Sequence, residues 1–559
     1  MKDCGHISGF IVLVLSFLST GAFSQQPMVV RGPYLQQPSP NSIIIHWRTD
    51  SVTDSKVFYG NDLNDLSLSA VNSKDTTEHI VKLTSLSPFT KYFYSIGTML
   101  QVLGGPDSMQ YFVTSPLPGS DQSIRLWAIG DFGKGSQSQK TVRDSYLQFT
   151  GGTHTDLWLW LGDNSYPDGT DEDFQYKVFD SITGYYRLFK YMPFMPTPGN
   201  HDYNSICPIP CLQDPQKHKG PYYDIVDVPT EGEAGGVPSH TELYYSFDYG
   251  NIHFISLNSE IGSPNRPYDY IGAYNSHFVT SPLVEWLKAD LAATDKTWKI
   301  AFWHQCPYSG QDVNSDDFWE IYIHAMRDNI NPILESYGVD LVLTGHDHDY
   351  QRTYLIHGLY GGSGTFDSAT NIIDGGSGNE ATDGPYIKYT NGPKAGIGTV
   401  YVVEGNSGAG NPDGPIRHPE LYGGDACPTC IGSFVVDVNG NRLDGKYLKG
   451  SGEIGDQFTI LKEEVPTGIT NHNSWEQMLK VFPNPYSHVP LLEFYANSNE
   501  LYHIALINPI GQVIWTEDYR SDVSGKQFIQ IPTEGISSGT YLLEVSGDQN
   551  SGHLSVIKL

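Results

Sequence analysis

Short β-rich runs separated by turn-forming residues occupy the N-terminal part of the chain. The runs at 42–47, 55–59, 79–83 and 91–96 are rich in Ile, Val, Tyr and Phe, and Pro, Gly, Asn and Asp lie between them. Strands at this spacing are typical of a small β-sandwich. We therefore predict an N-terminal β-sandwich over residues 27–117.

Beyond residue 121 the pattern changes to apolar runs of strand length that alternate with helical stretches. Residues 137–149, 282–293 and 317–337 carry apolar side chains three and four positions apart, which predicts helices. Fully apolar strands that alternate with helices are typical of buried sheets in an α/β domain. We predict such a domain over 121–461, with two packed sheets flanked by helices. Its strand candidates are 124–129, 157–161, 300–303, 339–343, 399–403 and 434–438.

The remaining segments have weaker or different patterns. Gly, Asn, Asp and Thr predominate in residues 356–396, which predicts a long loop. Residues 463–475 are polar and are predicted to form a linker. Residues 476–559 are again β-patterned and predict a small C-terminal β-sandwich.

The extreme N-terminus has the sequence pattern of an export signal. Residues 10–18 form an apolar run that is too short to span a membrane, and small side chains precede Gln25. We therefore predict a signal peptide over residues 1–24. No later segment has the length and apolarity of a transmembrane helix.

The charge balance limits the possible functions. The 559-residue chain has 33 basic and 63 acidic side chains, a formal net charge of −30 at pH 7. The long-range field of such a chain repels nucleic acid, which argues against a protein that binds nucleic acid by neutralising its phosphates. A local cationic site can still hold a phosphate group.

The cysteine pattern fits an oxidising compartment. Removing Cys4 with the signal peptide from the six cysteines leaves five. Two disulfides and one buried free thiol are then predicted, with a zinc site built from the two close pairs as the alternative. The pairing stays open. The close pairs are Cys207 with Cys211 and Cys427 with Cys430, and Cys306 stands alone.

Five short polar motifs follow five strand-like runs of the α/β region. Such folds place their sites at the carboxyl ends of strands, and glycines allow tight turns there. Any one motif is typical of a turn or a helix cap, but five of them in order after strands predict a common site. The motifs are Gly130-Asp131-Phe132-Gly133, Gly162-Asp163-Asn164-Ser165-Tyr166, Gly199-Asn200-His201-Asp202, Trp303-His304 and Gly345-His346-Asp347-His348.

The side chains of these motifs offer oxygen and imidazole donors. Carboxylate together with imidazole suits iron, zinc or manganese, whereas calcium prefers oxygen ligands alone. Two metals need a shared carboxylate and about three further ligands each, which this inventory supplies. Side chains two positions apart on an extended segment face opposite ways, so His346 and His348 can both ligate only from a turn that directs each to a different metal.

This set of motifs resembles that of the metallophosphoesterases and, within them, the purple acid phosphatases. The resemblance covers about residues 27–461, and residues 84–92 also resemble the turn-and-tyrosine pattern of fibronectin type III domains. It implies two metal ions. The first would be bound by Asp131, Asp163, Tyr166 and His348, and the second by the bridging Asp163 with Asn200, His304 and His346.

The resemblance also implies which metals these are. Tyr166 is the discriminating residue, because simpler metallophosphoesterases lack a tyrosine ligand at this place. A phenolate is a hard anionic donor that stabilises Fe(III), and its charge transfer to iron colours the family. The resemblance therefore implies Fe(III) at the Tyr166 site and a divalent zinc, iron or manganese ion at the second.

The implied activity is that of an enzyme, an acid phosphatase-like metallophosphoesterase. A metal-bound hydroxide would attack the phosphorus of a phosphomonoester, and His201 would bind the substrate and protonate the leaving alkoxide. The alternative role of His201 is to hold Asp131 or Asp163 in place.

Two further residues are predicted to contact the substrate. Many relatives have a second histidine shortly after the residue that matches His304, but in this chain Gln305 follows. Gln305 can donate a hydrogen bond to phosphate but cannot transfer a proton. Arg352 could reach phosphate, and an ion pair is its alternative role.

The C-terminal β-region resembles the sorting domain of the type IX secretion system of Bacteroidetes. This resemblance implies the secretion machinery as a partner and a secreted or surface-attached protein. An accessory β-sandwich that binds carbohydrate or protein is the alternative. The motifs are Pro483-Asn484-Pro485, the turn at 508–512, Ser538-Gly539-Thr540-Tyr541 and Ile557-Lys558-Leu559.

Three functions therefore remain open. The leading hypothesis is a secreted binuclear-metal phosphatase that hydrolyses phosphomonoesters. A metallophosphodiesterase or nucleotide hydrolase could use the same site, and the rim at 203–240 and 356–396 would decide between the two. A different class of protein is a surface adhesion protein with an inactive phosphatase domain.

Overall fold

The computed structural model describes residues 26–182, 184–203, 220–260, 281–410, 418–423, 430–465, 479–547 and 551–559. These residues form two compact units, which divide between residues 463 and 464. The predicted signal peptide, most of the predicted linker and Cys4, Cys207, Cys211 and Cys427 lie outside the described residues. None of the helices in those ranges combines the length and apolarity that crossing a membrane requires.

The N-terminal domain is a β-sandwich, as predicted, but its longest strand is continuous where two strands were expected. Register shifts between Arg48 and Ser55 divide that strand into two halves: the third strand pairs with both, the first strand only with the N-terminal half and the fourth only with the C-terminal half. Ile43, Ile45, Trp47 and Tyr94 are buried in the domain core. The strands are β1 (Val29–Gln36), β2 (Ile43–Gly60), β3 (Leu68–Leu83), β4 (Lys91–Gly97), β5 (Val102–Gly104) and β6 (Tyr111–Val113).

The central domain contains the predicted two packed sheets. Its strands are β7 (Ile124–Ile129), β8 (Leu157–Leu161), β9 (Phe194–Thr197), β10 (Tyr245–Tyr249), β11 (Ile252–Ser256), β12 (Trp298–Phe302), β13 (Leu341–Thr344), β14 (Tyr350–Arg352), β15 (Leu355–Ile356), β16 (Ile372–Asp374), β17 (Tyr386–Tyr389), β18 (Val400–Glu404), β19 (Gly432–Asn439), β20 (Arg442–Lys449) and β21 (Ile454–Glu463). One sheet has the order β17-β21-β20-β19-β7-β8-β9, and the other has the order β10-β11-β12-β13-β18-β14. Strands β15 and β16 form a separate two-stranded sheet.

A shared apolar core holds the two sheets together. Trp127 and Trp158 of the first sheet and Ile300 and Leu343 of the second belong to one cluster of fully buried side chains. The opposite face of the second sheet packs against helices through a separate cluster that includes Leu287. Both faces of the second sheet are therefore buried, which explains why its strands are apolar throughout.

Short helices connect the strands. Ser136 and Ser281 cap the two longest, with their hydroxyls accepting from the backbone N–H groups of Gln139 and Val284. Residues 317–337, predicted as one helix, are helical from Ile321 to Ser336. The helices are α1 (Gln137–Thr150), α2 (Asp171–Asp173), α3 (Tyr186–Phe189), α4 (Pro221–Ile225), α5 (Pro282–Ala293), α6 (Ile321–Ala325), α7 (Asn331–Ser336) and α8 (Ser368–Asn371), with π-helical turns at Phe174–Val178 and Met326–Ile330 and 3₁₀ turns at Asn200–Tyr203 and Ser363–Thr365.

The segment 356–396 is not the long loop that its composition predicted. It contains α8, β16 and β17, and β17 pairs in parallel with β21 at the edge of the first sheet. Lys388 in β17 is buried and lies 2.8 Å from Asp340 Oδ1. This strand was missed because Lys388 is charged although its position is buried. Its charge is neutralised by Asp340, which is distant in sequence.

The C-terminal unit is a small β-sandwich, as predicted. Its strands are β22 (Lys480–Phe482), β23 (Leu491–Ala496), β24 (Leu501–Ile507), β25 (Val513–Arg520), β26 (Gly525–Gln530), β27 (Gly539–Ser546) and β28 (Ser551–Lys558). Its two sheets have the orders β22-β23-β26 and β25-β24-β27-β28, and Phe494, Tyr502 and Leu543 lie in the core between them.

The described cysteines fit the sequence interpretation. Cys306 is buried and free, as predicted for that residue. Cys430 is part of a disulfide.

Candidate metal centre

The predicted site residues lie where the strands of both central sheets end. Strands β7, β8 and β9 are parallel neighbours in the first sheet, and β12 and β13 are parallel neighbours in the second. The five motifs occupy the turns at the carboxyl ends of these strands. Because the two sheets pack against each other, the turns meet at one end of the domain and bring all seven predicted ligand side chains together.

The first group of contacts centres on the phenol of Tyr166. Its hydroxyl donates to Asp131 Oδ1 at 2.8 Å or Asp163 Oδ2 at 2.9 Å and lies 3.1 Å from His348 Nε2. His348 Nε2 is also 3.4 Å from Asp131 Oδ1. These four residues are the predicted ligands of the first metal.

The second group centres on His304. Its Nε2 lies 3.2 Å from Asn200 Oδ1, 3.3 Å from His346 Nδ1 and 3.4 Å from Asp163 Oδ1. Asp163 therefore directs one carboxylate oxygen to the first group and the other to the second. This is the arrangement that a bridging carboxylate requires.

The donor set fits a pair of cations. Donor atoms of Asp131, Asp163 and His304 lie within 4.8 Å of one another, and all three residues are buried. Two buried carboxylates this close are unfavourable unless cations compensate them. Burial, together with the negative charges of Asp131 and Asp163, raises the pKa of Tyr166 well above its ordinary value. The phenolate would need bound cations in order to form.

Three of these residues have a strained backbone. Asp131, Asp163 and His346 have φ angles of 55°, 47° and 75°, in the left-handed region that residues other than glycine rarely occupy. Such strain concentrates at functional sites. Neighbouring glycines permit the close packing: a Cβ on Gly345 would lie 2.5 Å from Asp131 Oδ2, and one on Gly199 would lie 2.2 Å from the Asp163 nitrogen.

Asp202 joins two of the site turns. Its Oδ2 accepts hydrogen bonds from the backbone N–H of Gly199 at 2.8 Å and from the side-chain Nδ2 of Asn164 at 2.9 Å. Both carboxylate oxygens of Asp202 also lie 3.1 Å from the backbone nitrogen of Asn164. Asp202 was not predicted to have a role, although it lies inside a motif. Its place directly after Asn200 and His201 was the available signal.

His201 differs from the seven clustered residues in its exposure. About a third of its side chain is exposed, at 33%, whereas the His304 side chain is fully buried. Its Nδ1 donates to the Pro167 carbonyl at 2.6 Å, and its Nε2 lies 3.8 Å from Asp163 Oδ2. The ring is thus held from one side at the edge of the cluster.

The other two predicted substrate contacts have partners inside the protein. The Gln305 amide donates to Glu260 Oε1 at 3.0 Å, and both residues are buried. Arg352 is fully buried and donates to Asp456, Tyr386 and the Ser377 carbonyl. Its guanidinium is therefore not available to a phosphate, and the ion-pair alternative applies to Arg352.

Lys134 was not singled out from the sequence, although it directly follows the first motif. Its Nζ lies 4.4 Å from the centre of the Tyr166 ring. A cation over the ring face interacts favourably with the π-electrons.

Comparison with protein-family models gives three matches. Residues 124–350 match the calcineurin-like phosphoesterase family, and residues 31–114 match the purple acid phosphatase N-terminal domain. Residues 480–558 match the secretion system C-terminal sorting domain. The matched ranges agree with the resemblances at both ends of the chain and in the first part of the central domain, and residues 351–461 lie outside them.

Curated relatives include several plant and animal phosphatases. Purple acid phosphatase 15 of Arabidopsis thaliana is 28% identical over 302 residues, which are 50% of each chain. A purple acid phosphatase of Glycine max is 27% identical over 349 residues, 60% of this chain and 65% of that protein. Acid phosphatase type 7 of Danio rerio is 24% identical over 76% of this chain and 89% of its own. The chain thus spans between half and two thirds of the two plant proteins.

Two solved structures share the fold. The purple acid phosphatase PPD1 from yellow lupin, Lupinus luteus, superimposes with a TM-score of 0.58 at 19% identity and covers 78% of this chain and 77% of its own. A structure of PhoD gives a TM-score of 0.56 at 14% identity and covers 79% of this chain and 91% of its own.

Proposed function

Because the chain combines a calcineurin-like phosphoesterase domain with a purple acid phosphatase N-terminal domain, we propose that it is a binuclear-metal phosphatase that hydrolyses phosphomonoesters. The observation that carries the proposal is the convergence of the seven donor side chains. Within it, the two oxygens of Asp163 face different groups of ligands.

Each metal has its own set of residues in this proposal. Asp131, Asp163, Tyr166 and His348 would hold Fe(III), because the phenol supplies a hard anionic oxygen. Asp163 would be shared with a divalent zinc, iron or manganese ion, held also by Asn200, His304 and His346. When bound, the two ions would lower the pKa of a water nucleophile and neutralise the charge on the phosphate.

The residue proposed to protonate the leaving group is His201. The Pro167 carbonyl holds the proton on Nδ1, so Nε2 is the ring atom directed to the cluster. Protonated at both nitrogens, the imidazole can donate from Nε2 to a leaving oxygen beside Asp163. Its partial exposure supports a contact with substrate, which a buried ligand such as His304 could not make.

The proposed location is outside the cell or on its surface. The sorting-domain match at residues 480–558 supports export through the type IX secretion machinery. The predicted signal peptide would provide the first step of that route.

Kinetics with two aryl substrates test the proposed reaction. The full chain, loaded with iron and zinc, should hydrolyse 4-nitrophenyl phosphate with a kcat/KM at least about ten times that for bis(4-nitrophenyl) phosphate. Preference for the diester would refute the monoester proposal and favour a phosphodiesterase on the same site.

Two histidine variants distinguish the loss of a metal ligand from the loss of any histidine. His346→Ala should lower kcat/KM by at least about 100-fold, since it removes a ligand and not merely an outer contact. His240→Asn is the matched control, because the His240 side chain is 70% exposed and pairs with Glu231 at the surface. Unchanged activity of His346→Ala would contradict the proposed ligand role of His346. No hydrolysis by the loaded wild type would favour the adhesion alternative.

A further inference from the structure

Two arginines of the N-terminal domain bind one carboxylate of the central domain. Arg48 donates from Nη1 to Asp171 Oδ2 at 2.6 Å and from Nη2 to Asp171 Oδ1 at 2.9 Å. Arg31, whose side chain is fully buried, donates from Nη2 to the same Oδ1 at 2.9 Å. Planar guanidinium groups in such a paired geometry restrain a carboxylate strongly. We call this contact the arginine clamp.

The clamped residue lies at the end of a short loop that starts at Tyr166. Thr170 caps α2, with its Oγ1 accepting from the backbone N–H of Asp173 at 2.9 Å. Lys177 donates to Asp173 Oδ1 at 2.6 Å and also to the backbone carbonyl of Tyr166. The helical segment that begins with Asp171 is thus tied to both ends of the loop 166–170.

The same loop also contacts His201, the residue proposed to protonate the leaving group. The Pro167 carbonyl accepts the Nδ1 hydrogen of His201 at 2.6 Å. A Cβ on Gly169 would lie only 2.7 Å from Asp202 Cα, so the loop packs directly on the 3₁₀ turn that carries His201. This five-residue loop therefore begins at Tyr166 and, through the carbonyl of Pro167, also holds the His201 imidazole.

We propose that Arg31 and Arg48 are positioning residues for the phosphatase site, and that the N-terminal domain forms part of the catalytic apparatus. This inference rests on the proposed function and deepens it. Fixing Asp171 fixes the course of the loop, and the loop fixes the ring of His201 and the phenol of Tyr166. A displacement of about 1 Å in a catalytic group can cost about 100-fold in rate.

A second ion pair across the same domain interface offers a matched control. Lys190 Nζ lies 3.1 Å from Asp107 Oδ2 of the N-terminal domain and is outside the loop 166–170. Lys190→Met and Arg48→Met each remove one cation from the interface. Asp171→Asn removes the clamped charge with little change in volume and provides a second test if Arg48→Met does not fold.

Hydrogen–deuterium exchange of the metal-free full chain tests the physical part of the inference. Peptides that span 164–175 should exchange at least about three times faster in Arg48→Met and Asp171→Asn than in the wild type or in Lys190→Met. Equal exchange in all four proteins would overturn the inference that the arginine clamp restrains the loop 166–170. This result does not depend on hydrolysis, so it remains decisive even if the wild type proves inactive and the proposed function fails.

Leaving-group dependence tests the catalytic part. Phenyl phosphate needs protonation of its leaving oxygen far more than 4-nitrophenyl phosphate does. In Arg48→Met we expect kcat to fall about ten-fold for phenyl phosphate and about two-fold for 4-nitrophenyl phosphate, with both unchanged in Lys190→Met. An equal fall for both substrates would indicate a merely structural role and would overturn the inference.

Discussion

Replacing His253 by phenylalanine should destabilise the central domain by an amount that depends on pH. His253 is buried in β11 and lies between two carboxylates, with Nδ1 2.8 Å from Asp248 Oδ1 and Nε2 2.8 Å from Asp290 Oδ2. Lys296 also faces Asp248, at 3.4 Å. The ring joins β11 to its neighbour β10 and to α5. Phenylalanine has a similar volume but leaves both carboxylates without their shared donor.

The structure gives the size and the sign of the effect. Burial alone would lower the pKa of His253, but Asp248 and Asp290 outweigh it and raise the pKa to about 9 from an ordinary value of 6.5. That difference corresponds to about 3 kcal/mol of pH-dependent stability. Because the folded-state pKa is raised, this contribution is fully present below pH 6.5 and disappears as the pH rises through about 9. Removing one partner of a buried ion pair costs about 3–5 kcal/mol.

Urea unfolding at a series of pH values measures this effect. The free energy of unfolding of the wild type should exceed that of His253→Phe by about 3 kcal/mol at pH 6, and by much less at pH 10. A difference that stays constant with pH would refute the ionic role. His324→Phe serves as a control, because the hydrogen-bond partner of His324 Nε2 is the backbone carbonyl of Ser315 and not a carboxylate.

Three further substitutions test other parts of the account. Lys134→Met removes a cation 4.4 Å from the centre of the Tyr166 ring, which should move the phenolate-to-iron absorption band to longer wavelength; an unmoved band would exclude this influence. Asp202→Ala leaves buried N–H groups of Asn164 and Gly199 without an acceptor and should weaken zinc binding about 10- to 100-fold by calorimetry; unchanged affinity would show that Asp202 does not hold the turns. Arg352→Met should lower the free energy of unfolding by about 3–5 kcal/mol and leave KM unchanged; a raised KM with unchanged stability would return Arg352 to the substrate site.

Much of the site could be predicted because its residues follow strands directly. Continuous apolar runs identify β7, β8, β12 and β13, and parallel strands place their carboxyl ends at one edge. The motifs after these strands then had to meet if the two sheets packed together. That the seven side chains cluster is observed, and their binding of metal stays a prediction. The resemblances at the two ends of the chain rested on turn motifs and agree with the family matches.

Features that depend on contacts distant in sequence were not predictable from local patterns. The clamp joins Arg31 and Arg48 to Asp171, more than 120 positions away, and neither arginine lies in a motif. The strand β17 was missed because Lys388 occupies a buried position that only its pairing with Asp340 makes tolerable. The burial of Arg352 likewise depends on Asp456, which is 104 positions further along the chain.

Metal content and visible absorption, measured together, test most directly the proposal that the clustered side chains bind two metal ions. After loading with iron and zinc, elemental analysis of the wild type should give two metal ions per chain, with a visible band from tyrosinate to iron. Tyr166→Phe should lose that band while Asp131, Asp163 and His348 remain to hold iron. Fewer than two ions in the loaded wild type would contradict a binuclear centre, and a colourless iron-containing protein would contradict the role of Tyr166.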